Sequence, residues 1–331
     1  MKTQLLDVDR DDLLGYYDVW SASYADWNDE PFGDYDTIVA AVRNPLTTFG
    51  PQLHWAAYED GRMVGHCQLS LPSDSTVGMA KVTVHPDFRR RGIGAALLRA
   101  ALPTLRSHGR TTLEGWSLTK DGPGHRWAAR RGFATVHETV LQRLMIDEVD
   151  QSLWDVPDVA GYRTVSWNDR APDDLVASYA AVQDAIQDAP LGDTGFRYAR
   201  WTADRVRRAE DERRSQGIEQ RVVVAVSSST GEVVAYTEID LRRKDRAVQL
   251  GTAVLPAHRG HGLGRLIKAR MARWLRADRP DLDRVLTTTA SSNVHMIDVN
   301  HRIGFTTTRT MLVVSRAVEG LDQGVDSRAA Q

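Results

Sequence analysis

A single cysteine, Cys67, stands in 331 residues, so no disulfide can form within one chain, and this usage suits a reducing compartment. No apolar run approaches the roughly 20 residues that a membrane-spanning helix needs. Near the first residue, Lys2 is soon followed by Asp7, Asp9, Asp11 and Asp12, with no apolar stretch of secretory length. Neither sign of charge is in excess. The formal net charge is −2, which gives nothing global to attract nucleic acid or anionic lipid. Metal-ligand clusters are missing as well: His258 and His261 have HxxH spacing, His295 and His301 lie farther on, and no third ligand accompanies either pair. What is present is ordinary. With 42% hydrophobic and 26% charged residues, the chain has the balance of a soluble protein able to bury cores. Its length suits about two domains, and a cytoplasmic location is expected.

The chain repeats itself. Val84-His85-Pro86-Asp87-Phe88-Arg89-Arg90-Arg91-Gly92-Ile93-Gly94 returns as Val254-Leu255-Pro256-Ala257-His258-Arg259-Gly260-His261-Gly262-Leu263-Gly264, at an offset of 170 residues. The same offset relates Gly61 to Gly231 and Leu71 to Leu241, and Gly132-Phe133 returns as Gly304-Phe305 after a small insertion. A period this long means duplicated domains rather than a solenoid. The expected division is 1–150 and 151–318, joined through the Asp- and Pro-containing stretch near 147–161, with a polar, disordered tail over 319–331.

Periodicity gives each copy one order of elements. In the second copy it predicts a strand near 162–167, helices around 173–184 and 202–214, and strands over 221–226 and 232–241 joined as a hairpin through Ser228-Ser229-Thr230-Gly231. A strand over 247–255 ends at Pro256. Leu266, Ile267, Met271 and Leu275 then share one face of a helix over 264–277. A strand at 285–290, a helix at 292–302 and a last strand at 306–315 complete the copy. The first copy is read from residue 53 onward in the same order.

The chemistry lies in the loop. A strand stops at a proline, an Arg-x-x-Gly-x-Gly turn follows, and an amphipathic helix begins. Glycines let backbone N–H groups point inward, and the helix start adds unpaired N–H groups and the positive dipole end. Together they form a site for phosphate or pyrophosphate. A dinucleotide fingerprint needs a third glycine where Leu97 and Ile267 stand, and neither copy has the Gly-Lys-Ser/Thr of a P-loop. The Arg89-Arg90-Arg91 run at a helix start suits phosphate neutralisation better than nucleic acid.

On these residues the sequence resembles the GNAT superfamily of N-acetyltransferases: the Val-x-Pro strand end with Arg-x-x-Gly-x-Gly is similar to its pyrophosphate motif, and the helix ending in Gly-Phe is similar to a second motif. The resemblance spans most of both halves. It implies an α/β fold of two tandem GNAT-like domains, each a mixed central sheet flanked by helices. It implies acetyl-CoA as acyl donor, lying between two splayed parallel strands. The residues carried over for binding are Val254, Arg259, Gly260, His261, Gly262, Leu263, Gly264 and Arg265, with Val84, Arg89, Arg90, Arg91, Gly92, Ile93, Gly94 and Ala95 in the first copy. Asn293 holds a position that binds CoA in relatives. Asn300 stands where many relatives place a tyrosine that protonates the departing thiolate; asparagine cannot act as an acid but can donate a hydrogen bond.

The copies differ at the places where chemistry is needed. Asp121 and Ala128 stand in the first copy where the second has Asn293 and Asn300, and a carboxylate near a developing thiolate is unfavourable. Attack on a thioester needs a neutral amine, hence a base. The strand before the loop offers Gln249 and Thr252; its neighbour offers Glu238 and Asp240 on one face, where the first copy has Gln68 and Ser70. Glu238, with Asp240 behind it, is therefore the candidate base, the other reading being solvated carboxylates paired with Arg242 or Arg243. Tyr236 is a candidate acceptor-pocket residue or a core tyrosine. Asp184, Asp188 and Asp193 with Phe196, Tyr198 and Trp201 suit a cationic amine or a solvated loop with packing aromatics. Cys67 reads as a packed strand residue. The expected function is acetylation of a primary amine of a small molecule by direct attack in the second half, by a monomer or homodimer without metal. A non-catalytic acyl-CoA-binding or sensing protein and a protein N-acetyltransferase are the rivals.

Overall fold

The computed structural model describes residues 1–26, 32–45, 49–73, 75–188, 190–197 and 199–321, with the side chains of Gln187 and Asp188 excepted. They gather into two compact units. The first comprises Met1–His137, Asp193–Arg197 and the described residues from Leu312 onward; the second comprises Glu138–Gly192 and Tyr198–Met311.

In the first unit the order is β1 (Lys2–Leu6), α1 (Leu14–Ala25), α2 (Tyr35–Arg43), β2 (Gln52–Glu59), β3 (Arg62–Ser70), β4 (Val77–Val84), α3 (Ile93–Ser107), β5 (Thr112–Thr119), α4 (Pro123–Ala129) and the start of β6 (Ala134–Met145). The strands lie in the order β1-β2-β3-β4-β5, and the last strand of the chain is H-bonded beside β5. The α3 face of Leu97, Leu98, Ala101, Leu102 and Leu105 packs on Trp55, Val64, Cys67 and Leu69. Cys67 is fully buried, and burial pushes its thiol up to about 12, which makes it a small packed side chain rather than a nucleophile.

The second unit continues with β6 and then β7 (Tyr162–Asn168), α5 (Val176–Asp184), α6 (Ala203–Ser215), β8 (Glu219–Ser227), β9 (Val233–Leu241), β10 (Arg246–Val254), α7 (Leu263–Asp278), β11 (Arg284–Ala290), α8 (Val294–His301) and β12 (Thr306–Ala317). Its sheet runs β12-β6-β11-β10-β9-β8-β7. The Val222–Val226 run has both faces covered, so it reads as a continuous apolar run rather than alternation. Val223 and Ala225 meet Leu266, Ile267, Met271 and Leu275 of α7, the face expected from spacing. Val222, Val224 and Val226 meet Tyr179 and Val182 of α5 and Val206 of α6.

The units do not divide at 150/151. β6 pairs with β11 from Arg284↔Met145 through Ala290↔Thr139, so most of the first copy's last strand lies in the second unit, while Leu312 onward lies in the first. The stretch near 147–161 is no linker. Trp154 is buried in the second core, and its indole N–H donates to the Ile303 carbonyl at 3.0 Å. Nor does a free tail start at 319, because Val318 and Leu321 are buried in the first core; residues 322–331 lie outside the described residues. Sequence reading also passed over β1, α1 and α2. The apolar residues of α1 are spread around the helix, and only Tyr16 and Val19 of it are buried, so no stripe marks it.

Candidate active site

Two features frame the site in the second unit. The parallel strands β10 and β11 pair only at Arg246↔Arg284, Ala247↔Val285 and Val248↔Leu286. A bulge between Gln249 and Gly251 follows, and the strands part toward their C-terminal ends. At that end α7 begins. Gly260 and Gly262 have φ of +83° and +80°, values that side-chain-bearing residues rarely adopt, and a Cβ at either would project into open space. Gly262 is the helix N-cap and offers no side chain to the first N–H groups, so these remain for an anion.

Side chains divide more unevenly than the motif suggests. Arg259 is exposed, with Nε donating to the Val254 carbonyl at 3.0 Å. His261 is exposed beside Tyr162, with ring centres 6.0 Å apart. Leu263 is buried in the core, so only its backbone can serve, and the same holds for Ile93 and Ala95. Arg265 turns away, its Nη2 reaching the Leu153 carbonyl at 3.3 Å.

In the first unit β4 and β5 also pair over only three positions, Val77↔Thr112 to Met79↔Glu114, and Gly92 (φ +81°) caps α3. Arg90 there holds φ +67°, where the second copy has Gly260. Arg89 donates from Nε to the Val84 carbonyl and is further spent on Asp26 (2.6 Å) and Ser23 (3.3 Å), while Arg91 faces Glu59 at 3.5 Å. A Cβ at Gly94 would meet the Trp127 indole at 3.5 Å, whereas at Gly264 it would meet only a Val254 methyl at 3.9 Å.

Glu238 is neither solvated nor paired with Arg242 or Arg243. It is 6% exposed, and its Oε2 accepts from the Tyr179 hydroxyl at 2.8 Å, Gln183 Nε2 at 3.2 Å and Gln220 Nε2 at 3.3 Å. Burial raises its carboxyl above the usual range, with Arg213 and the Tyr179 hydrogen bond partly opposing. Directly across the ladder stands Gly251, whose missing Cβ leaves room on that face for the Tyr236 ring. A Cβ at Gly251 would lie 2.5 Å from the Tyr236 hydroxyl oxygen. Asp240 is different. Its Oδ1 is held by Arg213 Nε at 3.0 Å and its Oδ2 lies 3.7 Å from Arg242, so it is spent on ion pairs. Tyr236 is 2% exposed and packs edge-on against Tyr179, a core tyrosine.

Asn293 caps α8, accepting from Met296 N at 3.1 Å. Asn300 is not presented to a thiolate: it is 1% exposed, and its Nδ2 donates to Gln142 Oε1 at 2.7 Å and Thr289 Oγ1 at 3.3 Å. The acid–aromatic stretch also comes apart. Asp193 and Phe196 belong to the first unit and Trp201 to the second. Asp184 accepts from Trp201 N at 2.7 Å, and the Arg205 guanidinium covers the Trp201 ring at 4.4 Å. Tyr198 and the side chain of Asp188 lie outside the described residues.

Sequence reading missed the donors around Glu238. Tyr179 and Gln183 sit four apart on one helix face, a visible spacing, but nothing local ties them to a strand residue more than fifty positions away. It also missed Glu114, which is fully buried and accepts from Trp116 Nε1, Thr194 Oγ1 and Gly195 N at 2.7–2.9 Å. Both its oxygens are used to hold 194–195 in the first unit. The first copy carries Gln68 opposite Lys81 where the second has Glu238 opposite Gly251, and the Lys81 ammonium lies 4.1 Å over the Trp20 ring. Among the described residues no group of three or more His, Cys, Asp or Glu is placed to hold a metal.

A repeated half whose parallel strands part above a glycine-started helix is the architecture of an acyl-transferring enzyme. The chain belongs to the acetyltransferase (GNAT) family, whose model matches residues 14–133 and, a second time, 185–305. Mycothiol acetyltransferase of Mycobacterium avium (strain 104) is 28% identical over 258 residues, 74% of this chain and 76% of the relative. A tandem GNAT protein from the clavulanic acid biosynthesis pathway has a TM-score of 0.79 at 27% identity, covering 96% of this chain and 98% of that one. A GCN5-related N-acetyltransferase from Sphaerobacter thermophilus, 15% identical, shares the fold at a TM-score of 0.71 over 96% of this chain and 95% of its own. The enzyme is thus a tandem acetyltransferase of this family.

Proposed function

We propose that the second unit transfers an acetyl group from acetyl-CoA to a primary amine of a small molecule. The observation that carries this is the buried Glu238 carboxylate, held on one oxygen and set across from Gly251 at the strand bordering the opening. The donor's pyrophosphate would lie on the N–H groups of Gly262 to Arg265, within reach of Arg259 and His261. The amine, once neutral, attacks the thioester carbonyl carbon; the C–S bond breaks and the departing thiolate takes the second amine proton, so CoA leaves as free thiol. Glu238 takes the proton lost by the ammonium, directly or through a water, and backbone N–H groups of the parted strand stabilise the oxyanion. In the first unit Gln68 supplies no base and Lys81 opposes a cationic acceptor, which supports a binding or structural role there.

The relatives named for mycothiol acetylation and for a clavulanic acid pathway support a small acceptor. An acceptor screen with acetyl-CoA, reading free thiol and product mass, tests the reading. Thiol release with a small primary amine and an acetylated product is the expected result. Release only with peptides or proteins, or none with any amine despite bound acetyl-CoA, would overturn it in favour of a protein acetyltransferase or a sensor.

A further inference from the structure

Three donors reach the Glu238 carboxylate, and all three reach the same oxygen. Oε2 accepts from Tyr179, Gln183 and Gln220, and among the described residues none donates to Oε1. The Gln183 amide is oriented by this network: its Nε2 donates to the Tyr179 hydroxyl oxygen at 3.1 Å as well, and a flipped amide would set its oxygen against the carboxylate. Tyr179 is fixed as a donor, because burial first, and the Glu238 charge next, push its phenol well above the ordinary value. A carboxylate oxygen offers about two lone-pair sites, so Oε2 has no room for a further proton.

We infer that Tyr179 is a positioning residue: with Gln183 and Gln220 it pins Oε2, so that Glu238 offers a single basic oxygen, Oε1, to the proton of the acceptor. This rests on Glu238 being the base. Facing the carboxylate are Tyr179 and Gln183 from α5, Arg213 from α6, Gln220 from β8, and Tyr236 and Asp240 from its own strand, with Arg242 behind Asp240. Removing the Tyr179 hydroxyl deletes a bond that favours the ionised form and leaves the other charges in place.

The test is Tyr179→Phe in the full chain, with Gln183→Leu as a second variant should the first fail to fold. The Glu238 carboxyl carbon, assigned by its loss in Glu238→Gln, is titrated by 13C NMR with no acceptor present. Its midpoint should rise by about one pH unit. The acid limb of kcat/KM, for the amine that releases thiol fastest in the screen, should rise with it, while KM for acetyl-CoA stays unchanged. A folded Tyr179→Phe protein with an unmoved midpoint, and turnover lowered equally at every pH, would reduce Tyr179 to packing and overturn the inference alone. A moved midpoint together with normal turnover in Glu238→Gln would instead remove Glu238 as the base, and the inference with it.

Discussion

At the residue scale, two buried ionisable groups of the second unit behave oppositely. Glu238 is held by neighbours that use its charge; Lys268 is not. Glu238→Gln keeps size and hydrogen bonding but removes basicity, so turnover should fall by roughly 10²–10⁴ while acetyl-CoA binding persists. The deficit should shrink at high pH, where more of the acceptor amine is already neutral. A pH–rate series on both proteins checks this, and near-normal turnover with an unchanged profile would remove the role. Lys268 is 2% exposed in α7, its ammonium 5.5 Å from the Phe305 ring centre with no hydrogen-bond partner among the described residues. Burial pushes it down to about 7. Between that value and the ordinary lysine value the unfolded chain binds the extra proton, so stability rises with pH across this window and the full penalty applies below it. At the equivalent place the first copy buries Leu98. Lys268→Leu should therefore stabilise most near pH 6, by at most about 5 kcal/mol, and hardly at all near pH 10.5. Denaturant unfolding at both pH values reads the difference.

At the element scale, the glycine-started helix is what the motif encodes. A side chain at Gly262 must adopt a left-handed φ, costing about 1–2 kcal/mol, and would stand over the open helix end. Gly262→Val should stay folded and lose acetyl-CoA affinity in the second unit by at least about tenfold, since a displaced phosphate forfeits charge-assisted hydrogen bonds. Calorimetry showing unchanged stoichiometry and affinity would refute this placement. Gly92→Val should leave most turnover intact, because the first copy has Gln68 opposite Lys81 where the second has Glu238 opposite Gly251, and its loop arginine Arg89 is bound to Asp26. A folded but inactive Gly92→Val protein beside an active Gly262→Val protein would reverse the assignment of halves.

At the scale of the whole molecule, duplication and folding divide the chain at different places. The repeat suggests a cut near 150, but such a cut would strip the second unit of 138–145, which pair with β11 along its length. It would also strip the first of Val314, Val318 and Leu321, which lie in its core. Residues 1–150 and 151–321 made separately should be aggregation-prone and unfold without a cooperative transition, since each would expose an unpaired strand edge and an open core. Two soluble halves with sharp melting transitions would show that each copy can close on its own strand.

The amino-acid sequence by itself determined the repeat, the α/β order, the glycine loop with its helix and the difference between Glu238 and Gln68. These are local or register properties, carried by periodicity, turn chemistry and residue type at a fixed offset. Tertiary structure decided what depends on residues far apart meeting in low dielectric. It placed Gln142 beside Asn300 and so turned an expected thiolate partner into a packed amide. It spent Asp240 on Arg213 and left Glu238 with one oxygen held and, among the described residues, the other not. It gave β6 largely to the second unit and the end of β12 to the first, because a strand pairs wherever its edge and apolar faces are matched, and two copies of one sheet offer each final strand two such edges.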